Sequence, residues 1–203
     1  MTVQLHRGDL PAGLTFGNAV AIDTETMGLK PGRDRLCLVQ LSAGDGTAHL
    51  VKFDQGAYAA PNLIALLRDP GVTKIFHYAR FDIAVLQHYL GVMLQPIYCT
   101  KIASKLVRTF TDRHGLKDLV RELLGVELSK EQQSSDWGAP ELTQAQLKYA
   151  ATDVLHLHAL RAKLDEMLAR EGRSAIAAAC FGFLPTRALL DLAGWGEEDI
   201  FQH

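Results

Sequence analysis

Val20-Ala21-Ile22-Asp23-Thr24-Glu25-Thr26 is an apolar strand pattern that turns acidic at its far end. Side chains alternate along a strand, so Asp23 and Glu25 project to one face and Thr24 to the other. Two carboxylates about 7 Å apart on one strand face can bracket a pair of metal ions. Without such a partner, each buried charge would cost roughly several kcal/mol or be forced to neutralise.

Working outward, Leu36–Leu41 and Ala48–Phe53 read as the next two strands, separated by Gly-containing turns. Thr73–His77 reads as a fourth strand and Pro96–Cys99 as a short fifth. Helical patterns cover Asn62–Arg68, Phe81–Leu90, Lys101–Val107 and Leu116–Leu124. A long helix is expected from Thr143 to about Glu171, opened by a Thr143-x-x-Gln146 capping box and stopped near Gly172. A final helix near Ala175–Cys180 precedes a mixed tail. Three consecutive strands followed by strand–helix–strand units predict an α/β protein, a mixed five-stranded sheet flanked by helices. There is no internal repeat or low-complexity segment. Asp112–Gly115 and Ser129–Pro140 read as surface loops, so residues 1–203 are expected to form one domain.

Two further acidic blocks sit in apolar surroundings. Asp82, in His77-Tyr78-Ala79-Arg80-Phe81-Asp82, follows the fourth strand at the first turn of a helix. Asp153 lies four residues after Tyr149 in Tyr149-Ala150-Ala151-Thr152-Asp153, so the two share a helical face. Asp is a poor mid-helix residue, which favours a functional reason for it. Convergence of Asp23, Glu25, Asp82 and Asp153 on divalent ions would offset the burial cost of all of them. Two ions roughly 3.5–4 Å apart can hold the attacking and leaving oxygens of a phosphoryl displacement. Tyr149 is placed to orient the water, since a phenol of pKa near 10 is a weak base at neutral pH.

Composition is ordinary for a globular protein, 48% hydrophobic and 22% charged. A formal net charge of −2 argues against a protein that coats long polyanions, though not against an enzyme with a local basic rim. Cys37, Cys99 and Cys180 are widely spaced with no C-x-x-C pair, as in a reducing cytosol. Met1–Leu10 shows no basic-then-apolar pattern, so no leader is expected, and no apolar run approaches the roughly 20 residues that span a bilayer. A cytoplasmic protein with no membrane partner is expected.

Asp23-Thr24-Glu25, the Asp82 block and Tyr149-x-x-x-Asp153 resemble the three motifs of the DEDD 3′–5′ exonucleases, in the subclass with Tyr in the third motif. Leu36–Leu41 and Gln132–Trp137 are similar to ribonuclease D, without its helical nucleic-acid-binding domains. Thr100–Leu106, Thr111–Lys117 and Gln133–Trp137 resemble nano-RNase C, the short oligoribonuclease of that superfamily. No catalytic position departs from the pattern. The resemblance implies an RNase H-like exonuclease fold, two Mg²⁺ or Mn²⁺ ions, and release of 5′-mononucleotides from a 3′ end. It also implies a preference for short single-stranded RNA, dinucleotides included, and a homo-octamer.

Other residues are candidates for substrate contact. Met27-Gly28-Leu29 follows the first motif, where an apolar side chain can wedge between terminal bases and Gly28 permits close approach. Gln40 on the second strand is within reach of a sugar or phosphate, as is His77 at the end of the fourth. Trp137 either stacks on a base or pins its loop. Lys101, Lys105 and Arg108 recur at helical spacing as a basic stripe that Arg113, His114 and Lys117 extend. The aromatic tail from Phe181 to His203 either packs on its own domain or forms an oligomer interface.

The leading expectation is a metal-dependent 3′–5′ exoribonuclease for short oligoribonucleotides. The alternatives are a DNA exonuclease, general ribonuclease D-like trimming of RNA, and a non-catalytic nucleic-acid-binding module. Concentrated negative charge without metal weighs against the last.

Overall fold

The computed structural model describes residues 1–128 and 135–202. Its six strands are β1 (Thr2–Arg7), β2 (Ala19–Thr26), β3 (Leu36–Ser42), β4 (Thr47–Lys52), β5 (Thr73–Phe76) and β6 (Ile97–Cys99). Seven helices accompany them among the described residues: α1 (Pro61–Arg68), α2 (Ala79–Leu90), α3 (Thr100–Val107), α4 (Leu116–Leu124), α5 (Gln144–Leu155), α6 (Leu157–Arg170) and α7 (Ser174–Leu192).

The sheet runs in the order β1-β4-β3-β2-β5-β6. β2, β3 and β4 form the antiparallel meander expected from the sequence, and β5 and β6 extend it in parallel beyond β2. β3 is buried at every residue, which is why Leu36–Leu41 reads as a nearly unbroken apolar run. β2 pairs with β3 up to a register shift between Glu25 and Thr26. Such a bulge re-aims the side chains at the strand's end, and here it falls at the acidic block.

Four expectations change. The sheet has six strands rather than five, because Thr2–Arg7 pairs in parallel with β4. As an edge strand it is mostly exposed, and its alternation is limited to Val3 and Leu5, too short a pattern to mark a strand. The long helix is two, α5 and α6, parted at His156. The capping box does open α5: Gln146 N donates to Thr143 Oγ1 at 3.2 Å, and Thr143 N donates to Gln146 Oε1 at 2.9 Å. The last helix runs on to Leu192, with Pro185 inside it. At 19 residues α7 is long and apolar enough to cross a bilayer by length and composition, contrary to the expectation that no run approaches that size. It packs along α2 and against β6 and α3.

Candidate active site

β2 carries two of the acids to one end of the sheet, and α5 brings the third across them. Asp23, Glu25 and Asp153 each offer a carboxylate oxygen, and these atoms all lie within 4.8 Å of one another. The three line a cavity of about 320 Å³ together with His77, Lys117, Leu128 and Tyr149. Asp82 stands behind them. It is buried, and its Oδ1 accepts from Thr24 Oγ1 at 2.7 Å, so Thr24, on the opposite face of β2, links it to the strand of the other acids.

The charges are poorly compensated by protein groups. Burial pushes the Asp23 carboxyl up to about 7. Burial, followed by the charges of Asp23, Asp153 and Asp82, pushes Glu25 up to about 10. Asp82 and Asp153 are raised by burial first and by Asp23 second. Carboxylates in this state lack a positive charge among them, and an all-oxygen donor set suits a hard divalent cation. The residues therefore fit the metal chemistry expected of them: Asp23, Glu25 and Asp153 would hold an ion directly, with Asp82 adjoining.

Tyr149 hydrogen-bonds to Asp153, and burial together with the surrounding carboxylates holds its phenol above the usual tyrosine range. It keeps its proton at neutral pH and so acts as a hydrogen-bonding group rather than a base. Trp137 lies against Tyr149, with ring centroids 6.1 Å apart.

The substrate candidates divide. Met27 and Leu29 are exposed, Leu29 at 84%, on the loop beside Glu25. Gly28 is required there: a Cβ would meet Asp34 Oδ2 at 2.3 Å, and that carboxylate closes the loop by accepting from Lys30 N at 3.0 Å. His77 lines the acidic cavity, with Nδ1 2.9 Å from Thr100 Oγ1. Burial first, then the Lys101 charge, pushes His77 down to about 3, so it faces the cavity as a neutral ring. Lys101 is displaced from the cavity and lies over the ring of Tyr78, 4.3 Å from its centroid.

Gln40, Trp137 and Arg108 are corrected. Gln40 is fully buried, and its Nε2 lies 3.4 Å from both Asp23 Oδ2 and Glu25 Oε1. It supports the acids rather than reaching a sugar or phosphate. Trp137 is 2% exposed, packed with Cys37, Leu38, Leu50 and Ala150, so it pins its loop and backs Tyr149 instead of stacking on a base. Arg108 is 1% exposed and bonds to Glu122 and, at 2.8 Å, to Arg113 O. The basic stripe therefore ends at Lys105, and Arg108 ties α3 to α4. Residues 132–134 of the ribonuclease D-like and nano-RNase C-like stretches lie outside the described residues.

Sequence reasoning missed one contact: Thr24 was assigned only a direction, although its hydroxyl donates to buried Asp82.

Residues 10–169 match the profile of a 3′–5′ exonuclease family. The chain is 59% identical to Brucella melitensis NrnC with bound Mg²⁺, over 100% of both chains, with a TM-score of 0.96. Against NrnC of the same organism bound to pGG it is 60% identical, covering 100% of this chain and 99% of the other, with a TM-score of 0.97. Ribonuclease D of Gluconacetobacter diazotrophicus is 39% identical over 154 residues, which is 76% of this chain and 39% of that protein. The chain thus spans about two-fifths of the length of the curated relatives it matches.

Proposed function

The chain belongs to the 3′–5′ exonuclease family, and from that premise we propose that it degrades short single-stranded oligoribonucleotides, dinucleotides included, to 5′-mononucleotides. The observation that carries this reading is the half-buried group of Asp23, Glu25 and Asp153 opening into a cavity of about 320 Å³ beside Tyr149. The small cavity suits the end of a strand, and the similarity to an NrnC bound to pGG supports a short substrate.

Two divalent ions, Mg²⁺ or Mn²⁺, would supply Lewis acidity at the attacking water and at the leaving oxygen. Asp23, Glu25 and Asp153 would hold that charge in place, and Gln40 fixes the orientation of the first two. Tyr149, protonated, orients the water for in-line attack on the last phosphodiester. The water oxygen bonds to phosphorus as the P–O3′ bond breaks, the released O3′ takes up a proton in exchange for the one the water loses, and the products are a 5′-mononucleotide and a strand shortened to a new 3′-hydroxyl. Leu29 and Met27 meet the terminal bases.

A cytoplasmic homo-octamer belongs to the same reading. Exposed Phe183, Leu189, Trp195 and Phe201 offer apolar surface for subunit contact, and free Cys37, Cys99 and Cys180 suit a reducing compartment.

The test is a side-by-side turnover assay with Mg²⁺ or Mn²⁺ on a 5′-phosphorylated RNA dinucleotide, a longer single-stranded RNA and the matched DNA strands. The dinucleotide should be cleaved fastest, and Asp23→Ala should abolish turnover while the protein stays folded. Faster attack on the longer RNA would reassign the protein to general trimming, and faster attack on DNA to DNA processing.

A further inference from the structure

Two concavities meet at Leu29. One, of about 450 Å³, includes Glu25, Met27, Gly28, Phe81 and Trp137 in its walls. The other, of about 680 Å³, runs from Leu29 past Lys30 and Phe81 to Tyr78 and Arg80. Leu29 stands exposed between them as a partition. A strand with its last phosphodiester at Glu25 can seat its terminal base on the near side of that partition and the preceding base on the far side.

Tyr78 forms the wall of the far side. Among the described residues it is the one non-glycine with a positive φ, at φ 68° and ψ 41°. A bulky side chain is disfavoured in this left-handed conformation, which Gly or Asn adopts more easily. The turn itself needs only the Tyr78 carbonyl, which accepts from Phe81 N at 3.2 Å. The core does not need the ring either, since Tyr78 is 48% exposed. Backbone strain retained next to a catalytic cavity points to a use for the side chain that causes it. Lys101 Nζ lies over one face of this ring, 4.3 Å from its centroid, which leaves the other face for a base and makes the ring a cation-backed aromatic platform of the kind that holds single-stranded nucleic acid.

We propose that Tyr78 is a substrate-binding residue whose ring, backed on one face by Lys101, stacks with its other face on the base of the nucleotide 5′ to the scissile phosphate. The proposal rests on the exoribonuclease reading and adds the residue that recognises the second nucleotide. Stacking of this kind accepts any base, because every base has a face to stack.

The experiment compares two substrates: a 5′-phosphorylated RNA dinucleotide, and the same molecule with its 5′ residue made abasic. Tyr78→Asn removes the ring and accepts the left-handed backbone; Tyr78→Phe keeps the ring. On the intact dinucleotide, Tyr78→Asn is expected to lower kcat/KM about tenfold or more, and Tyr78→Phe should stay within about twofold of wild type. On the abasic substrate, wild type and Tyr78→Asn should differ by less than about twofold, because there is no base to lose. Equal losses on both substrates, or no loss on either, would overturn the stacking role. If wild type cleaves neither, the exoribonuclease reading itself fails, and the proposal with it.

Discussion

Gln40 stands directly opposite Asp23 across the β2–β3 ladder, with its Nε2 3.4 Å from Asp23 Oδ2. The same nitrogen is 3.4 Å from Glu25 Oε1, so one neutral carboxamide steadies two metal-facing acids from behind. Partners of metal-holding groups typically affect affinity by about 10–100-fold. Gln40→Leu should therefore weaken Mn²⁺ binding by about tenfold or more in calorimetric titration, with an unchanged circular dichroism spectrum. Unaltered affinity would show that the acids hold their positions without it.

The acids make stability without metal depend on pH. Carboxylates in the unfolded chain titrate near 4, whereas Asp23 is pushed up to about 7 and Glu25 to about 10 in the fold. Raised folded values mean that the contribution is fully present below pH ~4 and is lost as pH rises through ~7 and on towards ~10. The chelated protein should melt at a lower temperature at pH ~8 than at pH ~5.5, and saturating Mg²⁺ should restore it. Asp23→Asn should melt higher than wild type at pH ~8 in chelator while remaining inactive. A flat pH profile in chelator would contradict the buried-charge account.

Tyr149 supplies orientation, not a base, so its hydroxyl matters to the chemical step more than to binding. Tyr149→Phe is expected to lower kcat by about 10²-fold with a smaller change in KM. Steady-state kinetics on the dinucleotide would decide; a loss confined to KM would instead make Tyr149 a substrate anchor.

Asp191 accepts from Arg80 Nε at 2.6 Å and from Arg187 Nη2 at 2.7 Å, partly shielded from solvent. Asp191→Ala leaves two guanidinium groups uncompensated and should cost about 2 kcal/mol in urea unfolding. Combining it with Arg80→Ala should cost less than the two single losses added together, because both remove the same pair.

The acidic motifs were legible because chemistry fixes residue type and spacing there: a strand's alternation brings Asp23 and Glu25 to one face, and a helical turn joins Tyr149 to Asp153. The meander was legible because β3 is buried on both sides. β1 was not, since an edge strand needs no apolar pattern. The break at His156 was hidden because no Gly or Pro marks it. Gln40 and Arg108 were misjudged for a common reason. A polar residue in an apolar strand or helix looks available to solvent until its buried partners, here Asp23 with Glu25 and Glu122, are located.

The exonuclease match ends at residue 169, five residues before α7 begins. Yet α7 lies along α2, contributes Phe181, Leu184 and Ala188 to the core, and carries the carboxylate that holds Arg80, two residues before Asp82. The boundary of the shared exonuclease profile and the boundary of the packed core do not coincide. A fragment cut at residue 169 would keep every acid of the site and still lose the helix that seats one of them. Modularity here belongs to the family profile and not to the mechanics of this chain: the C-terminal helix is built into the core on which the site stands.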